Sequence, residues 1–404
     1  MNGRRGQVAT FAAIALLGSL ACNYDARPAA FLILAVTALA AVEAFRDRRI
    51  PREVWLLLLP FGYWTLSFLM TRESLSVFFS PDFQRRDGAI FASLLPMAAL
   101  AALPLDRERI CGALLAYLVI QAAIALAGGV SILGGWTSQL YHPAEVVDQK
   151  PTFFGLYVAH NATASVYALL TLGALAWALR RETEARLRMV LLTLAALLAL
   201  GCIMARSRRA FVALGAGVLF VVIRALRQGA SRRVMAAAVA GLAIALLAGG
   251  GLLWPRFQRM IEGDKDDFRR EVWSRAWDHF KSSPVVGIGF GRYNDSDLKF
   301  TSIGIGRIAT SGKPENDDRH AHNSYLHWMA EGGLVGLGVM IAFWILVVRN
   351  LHGEGPLREW ILAGIVALAV LSLTEHYAGG SIFLTHLAFL IGIHRATPEE
   401  GAGS

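Results

Sequence analysis

The sequence predicts an all-α polytopic membrane bundle of about twelve transmembrane helices, with one large, partly helical loop on a single face. Three observations carry that prediction. Only 17% of the 404 residues are charged and 55% are hydrophobic, against roughly 25% charged in an average soluble domain. The apolar residues fall in long blocks, and a bilayer-spanning helix needs about 20 of them. Backbone groups in lipid must bond internally, so blocks without strand alternation read as helices and not as a barrel. A soluble nucleic-acid binder is thereby excluded. A secreted disulfide scaffold is excluded as well, because Cys22, Cys111 and Cys202 are odd in number and unclustered; they read as apolar helix residues.

Taken in order, the spans fall at 7–22, 28–45, 54–70, 89–104, 110–129, 153–179, 187–205, 210–223, 234–254, 322–348, 360–376 and 379–394. The first follows Arg4 and Arg5, and its Ala21-Cys22 end superficially resembles a lipoprotein signal. Ser19 stands where such signals carry leucine, and the first helix of a polytopic protein explains the same residues. Every second connection is then basic: Arg46/Arg48/Arg49/Arg52, Arg107/Arg109, Arg180/Arg181/Arg186/Arg188, Arg224/Arg227/Arg232/Arg233 and Arg349/Arg358. Under the positive-inside rule these connections and both termini are cytoplasmic. One missed or invented span would break the alternation. The cytoplasmic side then holds 19 basic residues, all arginine, against 11 acidic ones, so the net charge of +9 is almost wholly a topology signal.

The expected organisation is an N-terminal bundle of about nine helices over 1–254, a large outer loop over 255–321, C-terminal membrane helices over 322–395 and a disordered tail over 396–404. The loop is about 67 residues long, well beyond usual connections. Within it, Phe268, Val272, Arg275/Ala276 and His279/Phe280 recur at i, i+3/i+4 spacing over 267–282, which predicts an amphipathic helix lying on the membrane surface or against the bundle. Pro284 ends that helix, and Gly287, Gly289 and Gly291 form a tight loop. Without a strand-then-helix context this glycine run is weak evidence for a phosphate cradle.

Three outer-face features carry possible chemistry. Arg206-Ser207-Arg208-Arg209 sits where the seventh span emerges; its guanidinium groups either snorkel to the headgroups or grip phosphate as permanently charged forks. Arg269-Arg270-Glu271-Val272-Trp273 opens the loop helix, either as a solvated face of Glu–Arg pairs or as a second anion site. His320-Ala321-His322-Asn323-Ser324-Tyr325 marks the return into the membrane, where on a helix His322 and Tyr325 share one face. Histidine suits proton transfer near neutral pH, although a histidine at a span end is often only a hydrogen-bonded interface residue. A metal reading of His320, His322, Asp317 and Asp318 lacks zinc-hydrolase spacing, and Asp295-Ser296-Asp297 reads as a solvated pair, so no metal and no cofactor are expected.

These residues in this order resemble the O-antigen ligase and polymerase superfamily: Ser207-Arg208 at a span mouth, Arg269 four residues before Trp273, Pro284 through Gly291, then His322-Asn323-x-Tyr325-Leu326 with Glu331-x-Gly333. Gly155 to Ala164 is similar to a further asparagine-bearing segment of that family, and the resemblance covers about residues 150–395. Two departures stand out: Arg208 is followed by Arg209 where the family more often has glycine, and Arg269 and Arg270 compete for one family position, with the spacing to Trp273 favouring Arg269. The resemblance implies a C-type glycosyltransferase of the Gram-negative inner membrane, working on its periplasmic face. It would transfer O-antigen polysaccharide from undecaprenyl pyrophosphate to a sugar of lipid A-core, inverting the anomeric carbon without a metal.

In that reading His322 is the general base, and Arg208 and Arg269 stabilise the pyrophosphate leaving group. Arg206, Arg209, Arg270, Asn161, Asn323, Tyr325 and Glu331 are expected to bind the substrates. The partners implied are the lipid-linked donor, lipid A-core and membrane lipids, with no nucleic acid. An O-antigen polymerase would share the donor but extend a lipid-linked glycan. A protein O-oligosaccharyltransferase usually carries a further C-terminal domain. A transporter or flippase would place its charges near the midplane with repeat symmetry, whereas here they gather at one face.

Overall fold

The computed structural model describes residues 2–21, 26–47, 50–71, 88–133, 152–157, 159–229, 267–303, 306–314, 320–375 and 382–396. Among them are twelve helices and one β-hairpin. Eight helices precede the large loop: α1 (Asn2–Ala21), α2 (Ala26–Asp47), α3 (Arg52–Thr71), α4 (Ala89–Ala101), α5 (Arg107–Leu133), α6 (His160–Ala178), α7 (Ala185–Met204) and α8 (Arg208–Arg227). The loop holds α9 (Asp267–Ser282) and the antiparallel strands β1 (Asp295–Ile303) and β2 (Gly306–Pro314). Then follow α10 (Ser324–Arg349), α11 (Pro356–Leu371) and α12 (Ile382–Ala396). Seven of these helices are long and apolar enough to cross a membrane, and the chain is an all-α, multi-pass membrane protein.

Eleven of the twelve expected spans coincide with helices, and α9 occupies the expected 267–282. The ninth span, 234–254, lies outside the described residues. Three local expectations need correction. The sixth span does not start at 153: residues 152–157 are not helical, yet Thr152, Phe153, Phe154 and Tyr157 are buried. Irregular backbone inside a bundle is tolerated only where protein satisfies it, and here Phe153 N–H donates to the Met204 carbonyl (3.2 Å) while Thr163 Oγ1 donates to that of Phe154 (2.6 Å). The β-hairpin was not foreseen, because its alternation is short and polar. Asp295, read as half of a solvated pair, is instead buried against the fully buried Arg292 (Nε to Oδ2, 2.9 Å).

The central helix is α6, enclosed on nearly every side, with α7, α8 and α11 packed around it. Trp360 of α11 reaches across and donates its indole N–H to the Leu169 carbonyl at 2.7 Å, so the largest side chain at that contact leaves no buried polar atom unmet. At the end of the bundle opposite His322, three arginines hold chain ends together. Arg188 donates to the carbonyls of Ala178 (3.1 Å), Arg180 (3.1 Å) and Thr183 (2.9 Å), closing the C-terminus of α6. Arg224 forks onto the buried Glu359 with bonds of 3.1 and 2.7 Å. Arg395 joins Glu53 (2.6 Å) and the Asn350 carbonyl (3.1 Å). Arg188 and Arg224 each use more than one donor of one planar group, which an ammonium on a single point cannot match.

The large loop is welded onto α10 through a helix break. At Gly333 the backbone leaves helical geometry (φ 61°, ψ −158°), and the chain from Pro284 to Gly289 runs alongside. Pro284 and Val285 carbonyls accept from Leu334 and Val335 N–H, while Ile288 and Gly289 N–H donate to the Ala330 and Glu331 carbonyls, all at 2.9–3.0 Å. Tyr63 of α3 caps the arrangement by donating to the Gly332 carbonyl at 2.7 Å. Both sides need glycine. A Cβ at Gly287 (φ 71°) would sit 2.2 Å from the Glu331 carbonyl carbon, and one at Gly333 would sit 2.4 Å from that of Val285. The glycine run is thus a clasp between two backbones. Gly287→Ala is expected to destabilise the protein by roughly 2–4 kcal/mol, combining left-handed strain with overpacking, and to lower its melting temperature in detergent. A melting curve that coincides with wild type would refute the clasp.

Candidate active site

Three chain breaks meet at one end of the bundle. Between α7 and α8 the backbone turns through Arg206 in a left-handed conformation (φ 56°) and an extended Ser207 before α8 begins at Arg208. The break separates Arg206, at the turn, from Arg208 and Arg209, in the first turn of α8. Before α10, His322 is also left-handed (φ 47°) and Asn323 is extended. His322 accordingly stands off the helix instead of sharing a face with Tyr325. Asn323 is the N-cap, its Oδ1 accepting from Leu326 N–H at 3.0 Å. After α11, the turn 372–375 ends in Glu375.

Ser324 locks the second and third breaks together: its N–H donates to the Ser372 carbonyl (2.8 Å) and its hydroxyl to the Glu375 carbonyl (2.9 Å). This carries the Glu375 side chain to His322, with Nδ1 and Oε1 at 2.9 Å. The other carboxylate oxygen is held by Arg209, which also donates to the Thr374 carbonyl at 3.0 Å. The three side chains are 19–30% exposed, sheltered yet reachable. An ionised carboxylate only accepts, so His322 carries its hydrogen on Nδ1 and leaves Nε2 as the proton-accepting nitrogen. Burial, and then the positive fields of Arg209 and Arg269, hold the imidazole below its ordinary value of 6.5. A neutral base is the form that can take a proton.

Behind this line lies a second cluster. The His320 ring is 6.4 Å from that of His322 and 6.3 Å from that of the buried His327. His327 Nε2 faces Glu331 Oε2 at 3.5 Å, and Glu331 Oε1 accepts from Tyr293 N–H at 3.0 Å. Tyr293 in turn donates its hydroxyl to the Val272 carbonyl of α9 (2.5 Å) and offers its carbonyl to His279 Nε2 (3.2 Å). This cluster ties α9, the glycine clasp and α10 into one unit.

The expected site residues therefore separate. His322 and Arg209 meet directly through Glu375, and Arg269, in the first turn of α9, acts on the same imidazole through its field. Arg208 opens α8 half-buried, but the guanidinium on Glu375 is that of Arg209. Arg206 is half-buried at the turn, and Arg270 is exposed. Asn161 lies in the first turn of α6, where its carbonyl accepts from Ser165 Oγ at 2.8 Å. Tyr325 donates to the Ala369 carbonyl of α11 at 3.0 Å. Glu331, expected to bind substrate, is 4% exposed and holds the loop from within. Sequence reasoning missed Glu375, although a signal existed: it is the only acidic residue between Glu359 and the tail, at the end of the apolar span expected over 360–376.

The family model described as O-antigen ligase matches residues 193–341. That stretch contains Arg206 to Arg209, Arg269, Arg270, His322 and the whole clasp, and is narrower than the resemblance over 150–395. Comparison with curated proteins gives no match. Residues 193–341 of this multi-pass membrane chain are thus similar to the O-antigen ligase family, whose members carry out glycosyl transfer of the ligase or polymerase type.

Proposed function

We propose that the protein transfers O-antigen polysaccharide from undecaprenyl pyrophosphate to a sugar of lipid A-core, at the periplasmic face of the inner membrane. The observation that carries this reading is the line Arg209–Glu375–His322, with Arg269 acting on the same imidazole. The acceptor hydroxyl attacks the anomeric carbon of the donor sugar and gives its proton to His322 Nε2. The bond from that carbon to the pyrophosphate oxygen breaks, and the pyrophosphate leaves with the electron pair. Arg208 and Arg269 receive the charge that develops there, as preorganised donors that need not reorganise. One displacement inverts the anomeric carbon, and the lipid-linked donor already stores the energy, so turnover persists in excess chelator. Glu375 is a positioning residue: it fixes the tautomer and steadies the imidazolium formed in the step.

The test is a deletion strain complemented with this chain. Loss of all long-chain lipopolysaccharide on deletion, with polymerised lipid-linked glycan accumulating, supports the ligase. A core bearing a single repeat unit would overturn it in favour of a polymerase.

The pH profile follows from the site. A base with a lowered pKa is active above that pKa and lost below it, so kcat/KM is flat at neutral pH and falls only on the acid side of 6.5. Glu375→Gln removes a negative charge beside the imidazole, which disfavours imidazolium. The acid limb then moves to lower pH while the rate drops roughly 10- to 100-fold. An unchanged profile and rate would remove Glu375 from the mechanism.

A further inference from the structure

We infer that α9 is a membrane-interface anchor whose aromatic flank, Trp273, Trp277 and Phe280, sits in the headgroup layer of the bilayer the chain spans. Val272 and Ala276 are fully buried against the protein, so the helix has already spent its apolar stripe. Even so, Trp273 and Trp277 remain 37% and 45% exposed on its flank. Trp277 and Phe280 have ring centroids 5.2 Å apart, which makes the flank one continuous aromatic surface.

The order of residues around the helix identifies what covers that surface. At about 100° per residue, the buried stripe is followed by Arg269, then by Phe280, Trp273 and Trp277, then by Arg270 and Lys281, the latter paired with Asp278 at 2.8 Å, and on the far side by Ser274 and Glu271. Aromatic rings with an arginine on either side, Arg269 and Arg270, match a surface that is apolar below and anionic at its boundary. The flank is also continuous with exposed apolar surface on a spanning helix. The chain runs from the end of α9 into Val285, 38% exposed, whose carbonyl bonds Val335 N–H on α10. Leu334 and Val335 there are 58% and 41% exposed, and Ile341 and Ile345 continue the apolar surface along α10. Hence α9 lies at the rim of the lipid-facing wall of α10. The clasp and the Tyr293 network then transmit that depth to Arg269 and to the start of α10, which holds the site at the level of the headgroups.

Site-directed nitroxide labelling tests this on the full chain. With Cys22, Cys111 and Cys202 replaced by alanine, single cysteines are placed at Trp273, Trp277, Glu271 and Ser274. The proteins are then reconstituted into vesicles of phosphatidylethanolamine and phosphatidylglycerol. At Trp273 and Trp277, collisions with oxygen are expected to exceed those with a water-soluble nickel chelate, and the order is expected to reverse at Glu271 and Ser274. The aqueous pattern at all four positions would overturn the anchor. Low access to both reagents with spin–spin broadening at Trp277 would also overturn it, because the flank would then pack against a second copy. The readout needs no enzymatic activity, so it stands or falls apart from the proposed reaction.

Discussion

Replacing His322 by asparagine is expected to lower glycan ligation about 100- to 10,000-fold, the range a general base contributes, while leaving the protein folded. The backbone makes asparagine the informative choice. At φ 47° His322 is left-handed, a region that asparagine tolerates far better than most residues and that costs alanine roughly 1 kcal/mol. His322→Asn thus keeps the turn into α10 and removes only the imidazole. His322→Ala removes both, and comparison of the two melting curves separates strain from chemistry. If purified His322→Asn ligates at the wild-type rate in a reconstituted assay with lipid-linked donor and lipid A-core, His322 is not the base and the mechanism fails.

The fold was legible in the sequence because its signals are long and redundant. Blocks such as 187–205 and 322–348 exceed what any soluble helix requires, and the alternation of arginine connections checked the count. The amphipathic spacing over 267–282 located α9 to the residue. What stayed hidden depends on contacts between distant segments. Glu375 lies 53 residues from His322 in sequence and meets it only because Ser324 pins α10 to the end of α11. The division of labour between Arg208 and Arg209 was equally invisible, since a left-handed Arg206 resets the direction in which α8 starts. Glu331, expected to bind substrate, is instead buried with its carboxylate accepting from Tyr293 N–H, and Arg292, which the sequence did not single out, is buried against Asp295. Short-range spacing cannot report such burial, because the partners come from other elements.

The arginines can be told apart by combining rates with pH profiles. Arg269→Ala should lower the rate roughly 100- to 1,000-fold, as loss of one preorganised donor on a developing charge does. Arg269 also depresses the pKa of His322, so the same substitution should move the acid limb of kcat/KM to higher pH. Arg209→Ala should shift the limb in the same direction, because it removes the nearer positive field and releases Glu375 to favour imidazolium. Arg208→Ala should lower the rate without moving the limb, since the fields acting on His322 come from Arg209 and Arg269. Arg269→Lys restores charge without the planar fork, so recovery of the acid limb with only partial recovery of rate would mark a bidentate phosphate contact. Normal ligation by all three alanine variants would sink the leaving-group role. A limb that moves in Arg208→Ala and stays in Arg209→Ala would reverse their assignments and leave Glu375 without its proposed part in the chemistry.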